Sequence, residues 1–381
     1  MTETTRLLRD LVSIPSVNPM GRPLQGPEIY EHRLTAYLEE FFRGLGVPYE
    51  RQTVAPLRDN IWARCELPGA RRTLCLEAHQ DTVPAENMTI DPFGAKVENG
   101  RLYGRGACDI KGGMAAMLAT LARIARDKPR GAANVVMACT VDEEHTFTGV
   151  RALVKRGLKA DMAVVAEPTD LNIVHAHKGI ARWHVTTAGR SCHSSTPEQG
   201  INAIYRMGRL LVAIEEYADQ LRRSKADPLL GPPTLSVGRI EGGSSVNVIP
   251  DRCRIEVDRR IIPGEDPRAT PAQLAAFLKQ QAGIDFPFDC SEPWMYKESL
   301  SPKGSEELVA RLGRAIDSVK GAHQVLAVPY GTDASTIATL GIPTVVFGPG
   351  DIARAHTCDE WVPLEEVDAA SEVLFRLACQ E

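Results

Sequence analysis

Asn134-Val-Val-Met-Ala-Cys-Thr-Val-Asp-Glu-Glu144 sets an eight-residue apolar run directly against three carboxylates. A continuous apolar run of this length reads as a strand buried on both faces, the kind found in parallel sheets covered by helices. Two similar runs flank it. Thr73-Leu-Cys-Leu-Glu-Ala78 leads into His79 and Asp81, and Met162-Ala-Val-Val-Ala166 leads into Glu167. Helical spacing falls between and around them, over 5–12, 28–44, 113–127 and 149–156, and 59–65 reads as a further strand. Strands alternating with helices predict an α/β domain with a mostly parallel sheet.

The texture changes near Lys178. Residues 180–188, 234–240, 252–261 and 285–290 read as strands, with helical patterns at 202–222 and 270–281. That β-α-β-β-α-β order predicts a small ferredoxin-like α+β domain. The α/β texture resumes after about residue 293, with Gly341-Ile-Pro-Thr-Val-Val-Phe347 as a buried strand and a last helix over 364–378. The expected organisation is a catalytic domain over 1–178 and 292–381, interrupted by an inserted lid or dimerisation domain over 179–291. There is no internal repeat, heptad pattern or low-complexity segment.

Composition narrows the possibilities. The chain has 381 residues, 43% apolar and 24% charged, and a net charge of −5. Without a Lys/Arg cluster it carries no electrostatic footprint for nucleic acid. No apolar run approaches the roughly 20 residues of a membrane span, and the acidic, amphipathic start at Met1 does not read as a signal peptide. Nine cysteines without CxxC spacing fit reduced thiols. Cys75, Cys139 and Cys253 lie inside apolar strands as core residues. A cytoplasmic enzyme is expected.

The chemistry sits where the strands end. In open α/β sheets ligands bind beyond the carboxyl ends of the strands. Alone, His79 would be a hydrogen-bonded core histidine, Asp109 in Gly104-Arg-Gly-Ala-Cys-Asp-Ile-Lys-Gly-Gly113 a helix cap, and His356 a surface loop residue. Together with Glu143, Glu144 and Glu167 they suit a pair of zinc-like ions and a water nucleophile. In His79-x-Asp81 the carboxylate can accept the imidazole's second N–H and fix its tautomer. Asp142, Glu143 and Glu144 would repel one another unless cations relieve them; one glutamate would ligate a metal and its neighbour would act as general base. Lys111 reads as a structural or surface charge. His175 and His177 share a strand face, more as structural residues than as a second metal site, and Trp183 and Trp294 read as packing residues.

Eight separated stretches, in order, resemble the zinc aminoacylase family that includes acetylornithine deacetylase, succinyl-diaminopimelate desuccinylase, aminoacylase-1 and carboxypeptidase G. They are Glu77-Ala-His-Gln-Asp-Thr-Val83, the Gly104–Gly113 stretch, Val141-Asp-Glu-Glu144, Ala166-Glu-Pro-Thr169, Arg190-Ser-Cys-His-Ser194, Asn247-Val-Ile-Pro250, Asp258-Arg-Arg-Ile-Ile-Pro-Gly264 and His356. The resemblance implies that His79 and Glu167 hold one zinc, Glu144 and His356 the other, and Asp109 bridges them; cobalt or manganese could take the place of zinc. It implies that Asp81 orients His79, that Glu143 is the general base, and that His193 reaches the partner's site across a homodimer to stabilise the oxyanion. It also implies that Asn247 and Arg260 hold the substrate carboxylate, with Arg259 on the opposite strand face. The expected activity is removal of the acyl group from an N-acyl amino acid, in the manner of acetylornithine deacetylase or succinyl-diaminopimelate desuccinylase. Glu167-Pro-Thr169 resembles that branch; a dipeptidase or carboxypeptidase with the same metal site is the alternative.

Overall fold

The computed structural model describes residues 1–224 and 226–380. Its contacts divide the chain into two units, one of Met1–His175, Pro302–Leu326 and Thr332–Glu381, the other of Ala176–Ser301 and Ala327–Gly331.

The first unit is built on the expected α/β sheet. Eight strands run in the order Tyr49–Ala55, Arg58–Cys65, Asn134–Thr140, Thr73–His79, Met162–Val165, Thr344–Val346, Ile173–His177 and Val325–Val328, the last two crossing the boundary between units. The four central strands are mutually parallel, in a register that sets His79 beside Thr140, Glu77 beside Val165 and Val346 beside Val165. Their carboxyl ends therefore lie together, and so do the loops that leave them. Every residue of Thr73–His79 and Met162–Val165 is buried, as expected for strands covered on both faces. The helix Gly112–Asp127 is buried along most of its length and packs against the terminal helices Glu3–Val12 and Leu364–Ala378. Met114, Met117, Leu121, Leu8 and Leu374 belong to the resulting core.

Two local departures have physical causes. The second helix begins at His32, not at 28; Ile29 is instead bridged to Val17, and Tyr30 takes a positive φ of 67°. Tyr49–Ala55 was not anticipated as a strand because it is a half-exposed edge whose polar residues hide the alternation. A small sheet of Lys96–Glu98, Arg101–Tyr103 and Trp361–Pro363 lies apart from the main one.

The second unit has the ferredoxin-like plan. Gly179–Ala188, Thr234–Gly242, Arg252–Ile261 and Phe288–Cys290 pair antiparallel, with Thr234–Gly242 on the edge and Gly179–Ala188 and Arg252–Ile261 in the middle. Met295–Lys297 adds a short strand beside Gly179–Ala188. Trp183, Val185, Ile255 and Val257 point into a core completed by Met207, Leu210, Leu274 and Leu278 of the two helices. The alternate residues Arg182, His184, Glu256, Asp258 and Arg260 form the other, polar face.

Candidate metal centre

The first unit brings together all five residues expected to ligate metal. His79 ends its strand with its Nε2 3.2 Å from Asp109 Oδ1. The other oxygen of Asp109, Oδ2, lies 3.2 Å from His356 Nε2, which is itself 3.3 Å from Glu144 Oε2. Ligand atoms of His79, Asp109 and Glu167 lie within 4.8 Å of one another, and so do those of Asp109, Glu144 and His356. The two groups share Asp109. His356 is half exposed, whereas the other four are almost wholly buried.

The electrostatics suit cations. Burial and then the charge of Asp109 push the Glu144 carboxyl up, and the same causes with Glu143 push Glu167 well up. Against burial, hydrogen bonds with Asp109 and Glu144 raise His356 to about 11, and hydrogen bonds with Asp109 and Asp81 raise His79. These shifts all run toward proton uptake, the response of a buried cluster with excess negative charge. Divalent ions would take over that balancing role and release the protons. Two imidazoles and three carboxylates, with one carboxylate presenting its two oxygens to different histidines, form a donor set that fits two ions.

Behind the ligands, Asp81 is the organising residue. Its Oδ1 accepts the Glu143 N–H at 3.1 Å, and its Oδ2 accepts the Glu144 N–H at 3.1 Å and the Asn18 side-chain amide at 2.8 Å. The carboxylate is thereby occupied, and His79 Nδ1 instead meets the Asp81 backbone oxygen at 3.0 Å, with the carboxylate at 3.6 Å. Both the carbonyl and the carboxylate of Asp81 thus face the Nδ1 side of the ring, leaving Nε2 toward Asp109.

The carboxylate triple resolves into different surroundings. Asp142, at φ 66°, turns away from the ligands to Arg58 Nη1 at 2.8 Å and Thr148 Oγ1 at 2.6 Å. Arg58 also clasps the fully buried Glu31 through Nε and Nη2. Arg58, Glu31 and Asn18 carried no sign of this in the sequence, since each acquires its role only from partners distant along the chain. Gly149 is required beside them, because a Cβ there would lie 2.1 Å from the Val141 oxygen. Lys111 is buried, not at the surface, and donates to the Ile14 carbonyl at 2.8 Å.

The remaining expected site residues belong to the second unit. His193 is exposed, bridged through its backbone to Val248, and its Nδ1 lies 2.7 Å from Ser195 Oγ. Asn247 is in the adjoining loop, its carbonyl accepting the Ser194 N–H at 3.0 Å. Arg260 lies on the polar sheet face with its Nε 2.8 Å from Asp258, whereas Arg259 is buried and paired with Glu265. His177 is buried and His175 half-buried, and neither joins a metal-ligating group among the described residues.

Comparison with known proteins agrees with this picture. The chain is 36% identical over 311 residues to an acetylornithine deacetylase of Myxococcus xanthus, covering 80% of this chain and 79% of the relative. It is 31% identical over 382 residues to an acetylornithine deacetylase of Shigella sonnei, covering 97% and 96%. A metallo-carboxypeptidase of the M20 family from Sulfolobus solfataricus shares the fold at a TM-score of 0.79 and 20% identity, over 100% of this chain and 99% of that one. The pattern of peptidase family M20/M25/M40 matches residues 75–380, which include all five clustered ligands, so this chain belongs to that family of metal-dependent hydrolases acting on amide and peptide bonds.

Proposed function

We propose that the chain hydrolyses the amide of an N-acyl amino acid at a pair of divalent ions, zinc in the first instance. One observation carries the reading: Asp109 turns one oxygen to His79 and the other to His356, so that two ligand groups share a single carboxylate. His79 and Glu167 would complete one site, and Glu144 and His356 the other. When bound, such ions polarise a carbonyl and acidify a water nucleophile.

The protein's own groups supply the rest. Glu143 leaves the turn beside ligand Glu144, with its backbone N–H held by Asp81. Its carboxylate is the general base that takes the proton of the attacking water and returns it to the departing amine. His193 donates to the oxyanion, and Asn247 and Arg260 pair with the substrate's carboxylate, the guanidinium as a two-pronged anchor. A homodimer fits the second unit, whose edge strand Thr234–Gly242 leaves Ile240 exposed, as are Tyr205 and Val212 of the neighbouring helix. Unpaired strand edges favour such pairing. Among the described residues no helix is long and apolar enough to cross a membrane.

Two curated relatives named for deacetylation, both above 30% identity, favour an acylated amine over a free peptide; the carboxypeptidase likeness keeps peptides in the test. Amine release from zinc-loaded protein would be measured on N-acetyl, N-succinyl and longer N-acyl amino acids, with free dipeptides alongside. Selective cleavage of one acyl amino acid is expected. Preference for dipeptides would move the assignment to a peptidase.

A further inference from the structure

Glu360 is completely buried, and its carboxylate is saturated by donors from one short segment. Oε1 accepts the backbone N–H groups of Cys108 at 2.9 Å and Asp109 at 3.0 Å. Oε2 accepts the Gly106 N–H at 3.1 Å and Arg105 Nη1 at 2.6 Å. The Glu360 carbonyl also accepts the Gly104 N–H at 3.0 Å. Five donors from residues 104–109 thus converge on one residue.

The loop needs them. Asp109 has φ −119° and ψ 88°, outside helical values, inside the turn Ala107–Lys111 that precedes the helix Gly112–Asp127. Its backbone N–H donates to Glu360 and would lose that acceptor without it, and a buried donor left unpaired is costly. The same N–H fixes the peptide plane from which the Asp109 side chain springs. Glu360 stands four residues after His356, so one carboxylate ties the segment bearing His356 to the segment bearing Asp109.

We infer that Glu360 is the positioning residue that holds Asp109 between the two metal-ligating groups. This role rests on the two-ion reading of the site. Glu360 itself touches no ligand side chain; it acts through the Asp109 backbone. A glutamine in its place would set an amide N–H₂ against donors from Gly106 and Arg105, or against those from Cys108 and Asp109. Either orientation turns two hydrogen bonds into donor–donor contacts, and the Asp109 turn must rotate to escape them. Losses of roughly 10–100-fold in metal affinity are typical when such an outer partner is removed.

The test uses the full chain and manganese(II) as the probe, with binding followed by titration and spin coupling between ions by electron paramagnetic resonance. Wild-type protein should take up two equivalents and show a coupled spectrum. Glu360→Gln should bind at least one equivalent about 10-fold more weakly and lose the coupled signal. If that variant does not fold, as judged by circular dichroism, Glu360→Asp serves instead: it keeps the charge, shortens the reach, and should retain both ions with weakened coupling. Wild-type affinity and coupling in the folded glutamine variant, or in the aspartate variant where glutamine does not fold, would overturn the role. A wild-type chain that takes up fewer than two equivalents would overturn the two-ion reading itself, and this role with it.

Discussion

Replacing Arg58 by Met removes a charge and little volume. Arg58 is 8% exposed and serves Glu31, Asp142 and, at 4.0 Å, Asp81. Without it three buried carboxylates face one another, the Asn18 amide shared between Asp81 and Asp142 and their other hydrogen-bond donors neutral backbone N–H groups and threonine hydroxyls. Removing one partner of a buried ion pair typically costs about 3–5 kcal/mol, because the other charge stays behind. Glu31, which burial already lifts to about 7 against the pull of Arg58, can take up a proton and limit the loss, so about 4 kcal/mol is expected at pH 8. At roughly 2–4 °C per kcal/mol for a unit of this size, the melting temperature should fall by about 10 °C.

The pH dependence separates charge from packing. Losing Arg58 raises the native pKa of Glu31 and Asp81, which it holds down, so the variant's native state binds protons more readily than the wild type's. Its deficit is therefore full above those pKa values and shrinks as pH falls through them. Calorimetry of both proteins at pH 8 and pH 5.5, at matched metal content, should show the gap narrowing. A deficit under about 1 kcal/mol at pH 8, or one equal at both pH values, would refute the argument that Arg58 neutralises the floor of the site.

Glu143→Gln should keep bound metal and lose most turnover, since general-base catalysis contributes about 10²–10⁴-fold; near-normal kcat with two ions bound would remove Glu143 as the base. His177, whose imidazole burial pushes down to about 3, stays neutral in the native state, so its contribution is complete above about pH 6.5 and is lost as pH falls toward 3. Between pH 7 and pH 5 wild-type protein should lose about 2 kcal/mol more unfolding free energy than His177→Gln in urea titrations; parallel pH profiles would count against it. Gly149→Ala decides between two opposite signs: helix propensity alone would stabilise by about 1 kcal/mol, whereas the contact with the Val141 oxygen should destabilise by about 3 kcal/mol. A raised melting temperature would show that the Val141–Asp142 turn yields easily.

The sequence was most legible where burial is uniform. Thr73–His79, Asn134–Thr140 and Met162–Val165 are apolar on both faces, and their carboxyl ends announced His79, Glu144 and Glu167. The lid-like unit was legible for another reason, the alternation of residues 180–188, whose buried and half-wet positions alternate in Gly179–Ala188. Short or half-wet elements such as Tyr49–Ala55 and Lys96–Glu98 carry too few apolar positions to set a period. The ligands could be picked out as an ensemble, because each has an ordinary reading alone while two histidines and several carboxylates gathered at strand ends and Gly-rich loops suit a metal centre together. Arg58, Glu31, Asn18, Arg105 and Glu360 could not, because a buried ion pair or a carboxylate capping a distant turn exists only as a relation between segments. Lys111 illustrates the same limit: a lysine in a Gly-rich turn reads as a surface charge until the fold buries it beside the Ile14 carbonyl.

The two-ion site is tested most directly by anomalous scattering from crystals grown with zinc. Two peaks are predicted, one at about 2.0–2.2 Å from His79 Nε2 and oxygens of Asp109 and Glu167, the other at similar distances from Asp109, Glu144 and His356. A single peak, or zinc bound at residues outside this set, would contradict the account.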